Sequence, residues 1–379
     1  MPVKGFLSPL GSLTDAQLAA WRRLAAGAAE PNPFFEPEFV LACAEGLGPR
    51  RVSLAVVADG EDWVACLPIQ ATGRWGRLPA RWRVTWRHTY CFLGTPLVDA
   101  DRLRPGIEAL VELLRAPGAD ICALEWIGAD GPIFAALQSS LVARGIRSLE
   151  YERFERAALR RRVEPTYLQE SLRPKRRKEL TRIGRRLEKE IGPVEIEDLG
   201  GAPEAYEEFL TLEASGWKGG GGTALASKPE HAELFRRVCT AFAQSGRLQL
   251  LALRAGGRTG AMQCNLRSGD TFFSFKVAHD EELARHSPGV LLELRSIEEF
   301  HTATDAAMTD SCADPDNQLI NRLWPDRISL ATLVVPGCGP AHGAAMLGVR
   351  ALSRLGSLRR GVKAARAAGG RPLSVSAGA

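Results

Sequence analysis

The chain has 379 residues, 45% of them hydrophobic and 25% charged, an ordinary globular composition with room for about two to three domains. Its eight cysteines are widely spaced with no C-x-x-C pair, which argues against a disulfide framework or a cysteine zinc site and for reduced, buried thiols. The net charge is +5, but eight basic and no acidic residues lie between Arg327 and Ala379, so residues 1–326 carry −3 and the basic character belongs to the C-terminal stretch.

No run approaches the ~18 apolar residues of a membrane span, and the opening MPVKGFLSPLGSLTD lacks the apolar core of a signal peptide, so a cytoplasmic chain is expected. Residues 12–26 predict a helix, capped by Ser12 or Thr14, with Leu18, Trp21 and Ala25 on one stripe. Asn32-Pro33-Phe34-Phe35-Glu36-Pro37 reads as a turn with two exposed aromatics. Residues 51–58 and 62–69 predict a hairpin around Asp59-Gly60. Residues 83–93 predict a third strand ending at Gly94-Thr95-Pro96. A helix over 101–116, a strand over 121–127, a helix over 132–144 and a strand over 148–154 complete an α/β layer architecture.

From Arg156 to Lys189 the chain is densely charged. Leu180, Ile183, Leu187 and Ile191 share one helical face, opposite Lys178, Arg182, Arg185, Arg186 and Lys189. Such a face is either a solvated helix surface or a seat for a polyanion such as tRNA or nucleotide phosphates. A strand over 194–198 and helices over 203–216 and 229–245 follow, and between these helices the run Gly216-Trp217-Lys218-Gly219-Gly220-Gly221-Gly222-Thr223 predicts a mobile loop, either a lid or a linker. Three strands are expected at 248–254, 259–267 and 270–277.

The last of these strands leads through His279-Asp280-Glu281-Glu282 to Ser287-Pro288-Gly289, where a helix should start. Proline suits the first helical turn and serine the cap. Gly289 leaves backbone N–H groups uncovered at the positive end of the helix dipole, as a phosphate requires, although a plain capped helix has the same signature. Short strands at 307–310 and 330–335 close the body. The order helix, hairpin, strand, helix, strand in residues 12–127 recurs in 203–310, which points to two copies of one plan. From Ala344 on, Leu347, Ala351, Leu355, Leu358 and Val362 form an apolar stripe among Arg350, Arg354, Arg359, Arg360, Lys363 and Arg366. That stretch predicts either a basic amphipathic helix for anionic lipid or RNA, or a disordered tail.

The sequence has no G-x-S-x-G elbow, no P-loop and no metal-binding histidine pair, so no metal is expected. What remains suits a transferase that binds an activated acyl donor, orients an amine or hydroxyl and polarises the carbonyl with a backbone N–H. The ordered series Gly216-Trp217-Lys218-Gly219, Gly246-Arg247-Leu248, Phe275-Lys276, Asp280, Ser287-Pro288-Gly289 and Leu291-Leu292 resembles the GNAT-type acyltransferases of the Fem and CelD kind. The basic helix at 172–187 and Phe34-Phe35-Glu36-Pro37-Glu38-Phe39 resemble that group too.

The resemblance covers residues of about 30–335. It implies two tandem GNAT-like domains, each a mixed, mostly antiparallel sheet flanked by helices: 1–155, then 156–339 binding the acyl donor, then a basic tail over 340–379. It implies acyl-CoA, in the simplest case acetyl-CoA, as co-substrate, with its pyrophosphate against Arg285, Ser287, Gly289 and Val290. The usual loop is Q/R-x-x-G-x-G/A; here Arg285 precedes Gly289 by four residues, and Leu291 stands where a small residue is usual. Asp310 and Lys276 take catalytic roles, Asp310 as the base. Trp217, Lys218 and Arg322 take acceptor-binding roles. The expected function is N-acylation of an amino sugar or related polar acceptor, with a small molecule or glycan precursor as partner, in polysaccharide or cell-envelope construction. Residues 344–366 are then a peripheral membrane contact. An aminoacyl-tRNA-dependent ligase of the Fem type and a non-catalytic scaffold are the alternatives.

Overall fold

The computed structural model describes residues 3–48 and 51–354. The first half of the chain runs β1 (Lys4–Pro9), α1 (Asp15–Ala26), α2 (Pro37–Leu47), β2 (Val52–Asp59), β3 (Asp62–Trp75), β4 (Leu78–Thr85), β5 (Leu97–Val98), α3 (Leu103–Arg115), β6 (Ile121–Gly128), α4 (Pro132–Ala143) and β7 (Leu149–Arg160). Thr14 caps α1 in a reciprocal capping box with Gln17, closing two of the orphan groups at a helix start. The Asp59-Gly60 hairpin forms as expected, with Gly60 at φ 62°. The strand predicted over 83–93 instead ends at Thr85, and residues 86–96 leave the sheet.

The second half runs α5 (Tyr167–Ser171), α6 (Pro174–Glu190), β8 (Val194–Asp198), α7 (Glu204–Ser215), α8 (Trp217–Gly220), α9 (Pro229–Gln244), β9 (Leu248–Ala255), β10 (Arg258–Ser268), β11 (Thr271–His279), α10 (Pro288–Thr302), β12 (Met308–Asp310), α11 (Gln318–Leu323), β13 (Asp326–Pro336) and α12 (residues 342–354). Part of the glycine run is therefore a single helical turn, α8, rather than open loop.

The fold is α/β. Among the described residues a single sheet carries all thirteen strands, in the order β1-β2-β3-β4-β6-β13-β7-β12-β11-β10-β9-β8, with β5 alongside β3. Each half repeats two helices, an antiparallel meander, a helix, a strand parallel to the meander's last strand, and a final strand. The parallel pairs are β4 with β6 and β11 with β12. The final strands are exchanged: β13 pairs with β6 of the first half, and β7 pairs with β12 of the second. The expected boundary at 155/156 falls inside β7, at the middle of the sheet.

Helices cover both faces. On β3, Trp63 stacks on Trp21 of α1 at 5.8 Å between ring centroids, while its neighbour Val64 points to the other side against Gly106 of α3. A strand buried on both faces reads as a continuous apolar run, which is what residues 63–69 show. In the second half Met262 and Cys264 pack under α7 and α9, and Ala261 and Leu253 pack under α10 and α6 through Leu291 and Leu187. Helices α2 and α9 meet on one face and join the halves there. On the far side of the first half, Ala345, Met346 and Val349 of α12 pack on Trp82, Val84 and Ile121. Leu347, expected on the buried stripe, is 66% exposed. The rest of that stripe, from Leu355 on, lies outside the described residues.

Candidate active site

Strands β11 and β12 are hydrogen-bonded neighbours only from Thr271 to Phe273, opposite Met308 to Asp310, and then part. Just beyond, β11 carries a bulge. Asn265 pairs with Ser274 and Cys264 with Lys276, so Phe275 is the extra residue. A bulge breaks the strict alternation of side chains. Phe275 and Lys276 consequently face the same side: Phe275 meets Phe34, Phe39 and Phe235, and Lys276 Nζ lies 4.6 Å from the centre of the Tyr90 ring.

Tyr90 belongs to the connection between β4 and α3, residues 86–102, which crosses to the second half. Asn32 Nδ2 donates to the carbonyls of Leu93 and Thr95 and anchors its middle. Gly94 packs so tightly that a Cβ there would lie 1.9 Å from the Glu125 carbonyl oxygen. The aromatics read as exposed, Phe34 and Phe35, are each 1% exposed, and Phe34 wedges between this connection and β11. The Tyr90 hydroxyl lies 2.8 Å from His231 Nδ1 on α9. Burial, with the nearby Glu213 carboxylate, pushes the Tyr90 phenol up to about 12. Burial, aided by Lys228 and Lys276, holds His231 below its ordinary value, so its imidazole is neutral at neutral pH. Glu213, 3% exposed, accepts the Leu225 N–H at 2.8 Å. A protonated phenol, a neutral imidazole and an ammonium thus meet where β11 and β12 part.

Of the residues the sequence singled out, Lys276 stands in this cluster. Trp217 and Lys218 lie in α8, but their side chains are outside the described residues. Asp310 is sealed in the sheet at 1% exposure, its Oδ2 2.5 Å from Arg156 Nη2 and its Oδ1 accepting the Cys312 N–H. Burial alone would lower the Arg156 pKa; the Asp310 charge outweighs it, and the guanidinium stays charged. Arg156 also donates to the Phe92 carbonyl at 2.6 Å, so this pair braces the 86–102 connection from below. Arg322 is exposed on α11, whose buried side meets Tyr167 and Phe300 on the opposite face of the sheet.

At the expected donor loop, α10 begins at Pro288 as predicted, but Ser287 adopts φ 48° and its side chain caps nothing. The Val290 N–H bonds the Ser287 carbonyl, and the Gly289 N–H has no backbone acceptor. Two sides of this helix start differ in charge. Toward α7 a cleft of about 390 Å³ is lined by Glu208, Asp280, Glu281 and Glu282, with Arg258 bridging Asp280 and Glu282. Toward α6, Arg285 and Arg186 converge on Glu190, and Arg182 and Lys189 are exposed beside them. The cations at this helix start therefore gather on its α6 side, the sign of charge that an anionic group needs. Among the described residues no cluster of metal-ligating side chains occurs.

Tyr90 and His231 escaped the sequence reading. Tyr90 sat in an apolar run that reads as strand, and His231 in the first turn of a helix. The signal for Tyr90 was the close packing of Trp86, His88, Tyr90 and Phe92 before Gly94-Thr95-Pro96, too rich in aromatics and turn residues for a strand end.

Residues 174–310 match the family model described as an acetyltransferase (GNAT) domain. No curated protein sequence matches the chain. Among solved structures, the C-terminal domain of a putative lysylphosphatidylglycerol synthetase from Agrobacterium fabrum superposes with a TM-score of 0.53 at 12% identity, over 89% of this chain and 95% of that one. FemX gives 0.53 at 11% identity, over 89% and 96%. The corresponding structure named L-PGS from Bacillus licheniformis gives 0.50 at 12%, over 89% and 96%. Residues 174–310 thus match a GNAT acetyltransferase domain model, and the chain as a whole shares the fold of FemX and of the putative lysylphosphatidylglycerol synthetase domain.

Proposed function

We propose that the chain is an acyl-CoA-dependent N-acyltransferase acting on a polar amine, such as an amino sugar or a glycan precursor, with its reaction centre at Tyr90, His231 and Lys276. The observation that carries this reading is the bulge at Phe275. It brings Lys276 onto the face of Tyr90 and His231 beside the wedge where β11 and β12 separate. The donor's pyrophosphate sits at Gly289 and Arg285, and its acyl arm runs into the wedge. The amine nitrogen bonds to the thioester carbonyl carbon, the C–S bond breaks and the thiolate leaves. The amine proton passes to the Tyr90 oxygen as the phenol proton moves to His231 Nδ1. The Lys276 ammonium, close to the phenol, stabilises charge that develops there. Asp310 then acts as a positioning residue beneath the 86–102 connection.

Thermal denaturation with acetyl-CoA and longer acyl-CoAs tests the donor: a ligand at 100 times its Kd stabilises by about 2.7 kcal/mol. The absence of any shift would favour the scaffold reading. Tyr90→Phe should lower kcat by about 10²-fold or more, as loss of acid–base help does, with the acetyl-CoA shift intact. An unchanged kcat would remove Tyr90 from the reaction. An aminoacyl-tRNA donor is the second reading, favoured by the exposed basic residues of α6 beside the α10 start. Steep salt dependence of tRNA binding would support it. Peripheral contact with an anionic membrane through residues 344–366 is part of the first reading, and loss of liposome binding on deleting residues 355–379 checks it.

A further inference from the structure

Four non-glycine residues have positive φ among the described residues, and two of them, Trp126 at 56° and Cys312 at 50°, line one cleft of about 310 Å³. A bulky side chain in the left-handed region is strained, and such strain gathers where a site needs a side chain aimed against its backbone's preference. Both residues are held there. Trp126 lies at a bulge, where Glu125 and Trp126 together stand opposite Thr332, and its carbonyl accepts the Gly94 N–H at 2.9 Å. Cys312 is held by its N–H bond to Asp310, which the buried Arg156 fixes in turn.

The cleft draws walls from both halves. Its aromatic side is Trp126, against which Phe154 packs edge-on at 5.2 Å between centroids, together with Phe92. Its rim is polar: Arg87, His88 and Asp314. The Arg87 guanidinium lies 3.9 Å over the Trp126 ring, in van der Waals range of the face a ligand would stack on, and is itself exposed. Burial and the neighbouring Arg87 push His88 down to about 4, so at neutral pH it offers a neutral donor and acceptor. An indole face for C–H groups beside a rim of carboxylate, guanidinium and imidazole for hydroxyls is the chemistry that recognises a pyranose ring, and the volume suits one ring.

We propose that this cleft is a saccharide-binding subsite that seats one pyranose ring against Trp126, with Arg87 swinging aside and Asp314 and His88 bonding ring hydroxyls. The inference rests on the acyltransfer reading for its purpose. His88 lines the cleft and its ring is 6.4 Å from that of Tyr90; Phe92 lines it and lies 6.3 Å from Phe275, so the cleft and the reaction centre share a wall. A ring seated here places the acceptor on the first half's side of that wall.

Saturation-transfer-difference NMR with D-glucosamine and N-acetyl-D-glucosamine tests it, with acetyl-CoA thermal shift recorded in parallel. Trp126→Gly removes the indole while glycine accepts the positive φ without strain. Asp314→Ala alters only the exposed rim. Ring-proton signals should appear with the parent protein, weaken at least tenfold in affinity in Trp126→Gly and several-fold in Asp314→Ala, and leave the acetyl-CoA shift unchanged. No sugar signal with the parent, or equal affinity in Trp126→Gly, overturns the inference whatever acetyl-CoA does. Loss of the acetyl-CoA shift alone would sink the donor reading and leave the saccharide result standing.

Discussion

The two halves make the same β-to-α connection in opposite ways. In the second half, residues 280–287 turn tightly from β11 into α10: Asp280 accepts the Glu282 N–H, Arg258 ties Asp280 to Glu282, and Arg285 reaches out to Glu190 of α6. In the first half, residues 86–102 wander from β4 to α3; local bonds fold them at His88–Tyr90 and Asp99–Arg102, but their middle is held by distant partners, Asn32, Glu125, Arg156 and His231. A short connection that turns straight into a helix presents its backbone to a ligand. One held from outside presents its side chains, and the proposed acid–base pair and sugar cleft both depend on it. On the proposed reading, one repeated frame carries a backbone site in one half and a side-chain site in the other.

That division can be broken at its supports. The largest expected effect is Asp310→Ala, which strands the Arg156 charge at 1% exposure; breaking a buried pair costs about 3–5 kcal/mol, read by urea denaturation. Asp310→Leu with Arg156→Met should recover most of it, and an equal loss in the double variant would show that the pair's charge is not what matters. Next is pH. His88 titrates at about 4 in the fold against 6.5 unfolded, so it takes up protons on unfolding once the pH falls below 6.5. Its contribution is intact above that value and is lost progressively down to about pH 4, by roughly 3 kcal/mol at most. His88→Gln should flatten that slope, and an unchanged slope would assign it to other groups. Gly94→Ala should cost about 1–3 kcal/mol, because its Cβ would meet a backbone oxygen at 1.9 Å. Gly289→Ala, whose Cβ meets only His279 at 3.7 Å, should change stability by less than about 0.5 kcal/mol. Equal effects at the two glycines would erase the contrast between the connections.

Much of this frame was legible because its signals are local. The capping box at Thr14, the Asp59-Gly60 turn and proline at the start of α10 each act within a few residues, and the elements appear where those residues put them. The repeat could be seen because both copies preserve element order. The site was less legible. Lys276 came from a family resemblance, but its direction depends on a one-residue bulge that no local residue announces. Tyr90, Cys91 and Phe92 look like strand because they are apolar, and they are apolar because the fold packs them inward, Tyr90 and Phe92 against Phe275 of the other half. Phe34 and Phe35 looked exposed for the same reason. The edge strand β1 and the exchange of β7 and β13 are pairings over long sequence separations, which periodicity does not encode.

The exchanged strands also set an order of events as the chain is made. β6 is complete at Gly128, but its neighbour β13 ends at Pro336, so one edge of the first half stays open while the rest of the chain is synthesised. At about 5–20 residues per second this lasts on the order of ten seconds or more. An open apolar strand edge is a template for the wrong partner. β13 is thus a latch: until it closes, neither half has finished its sheet, and loss of β13 would damage the first half as surely as the second.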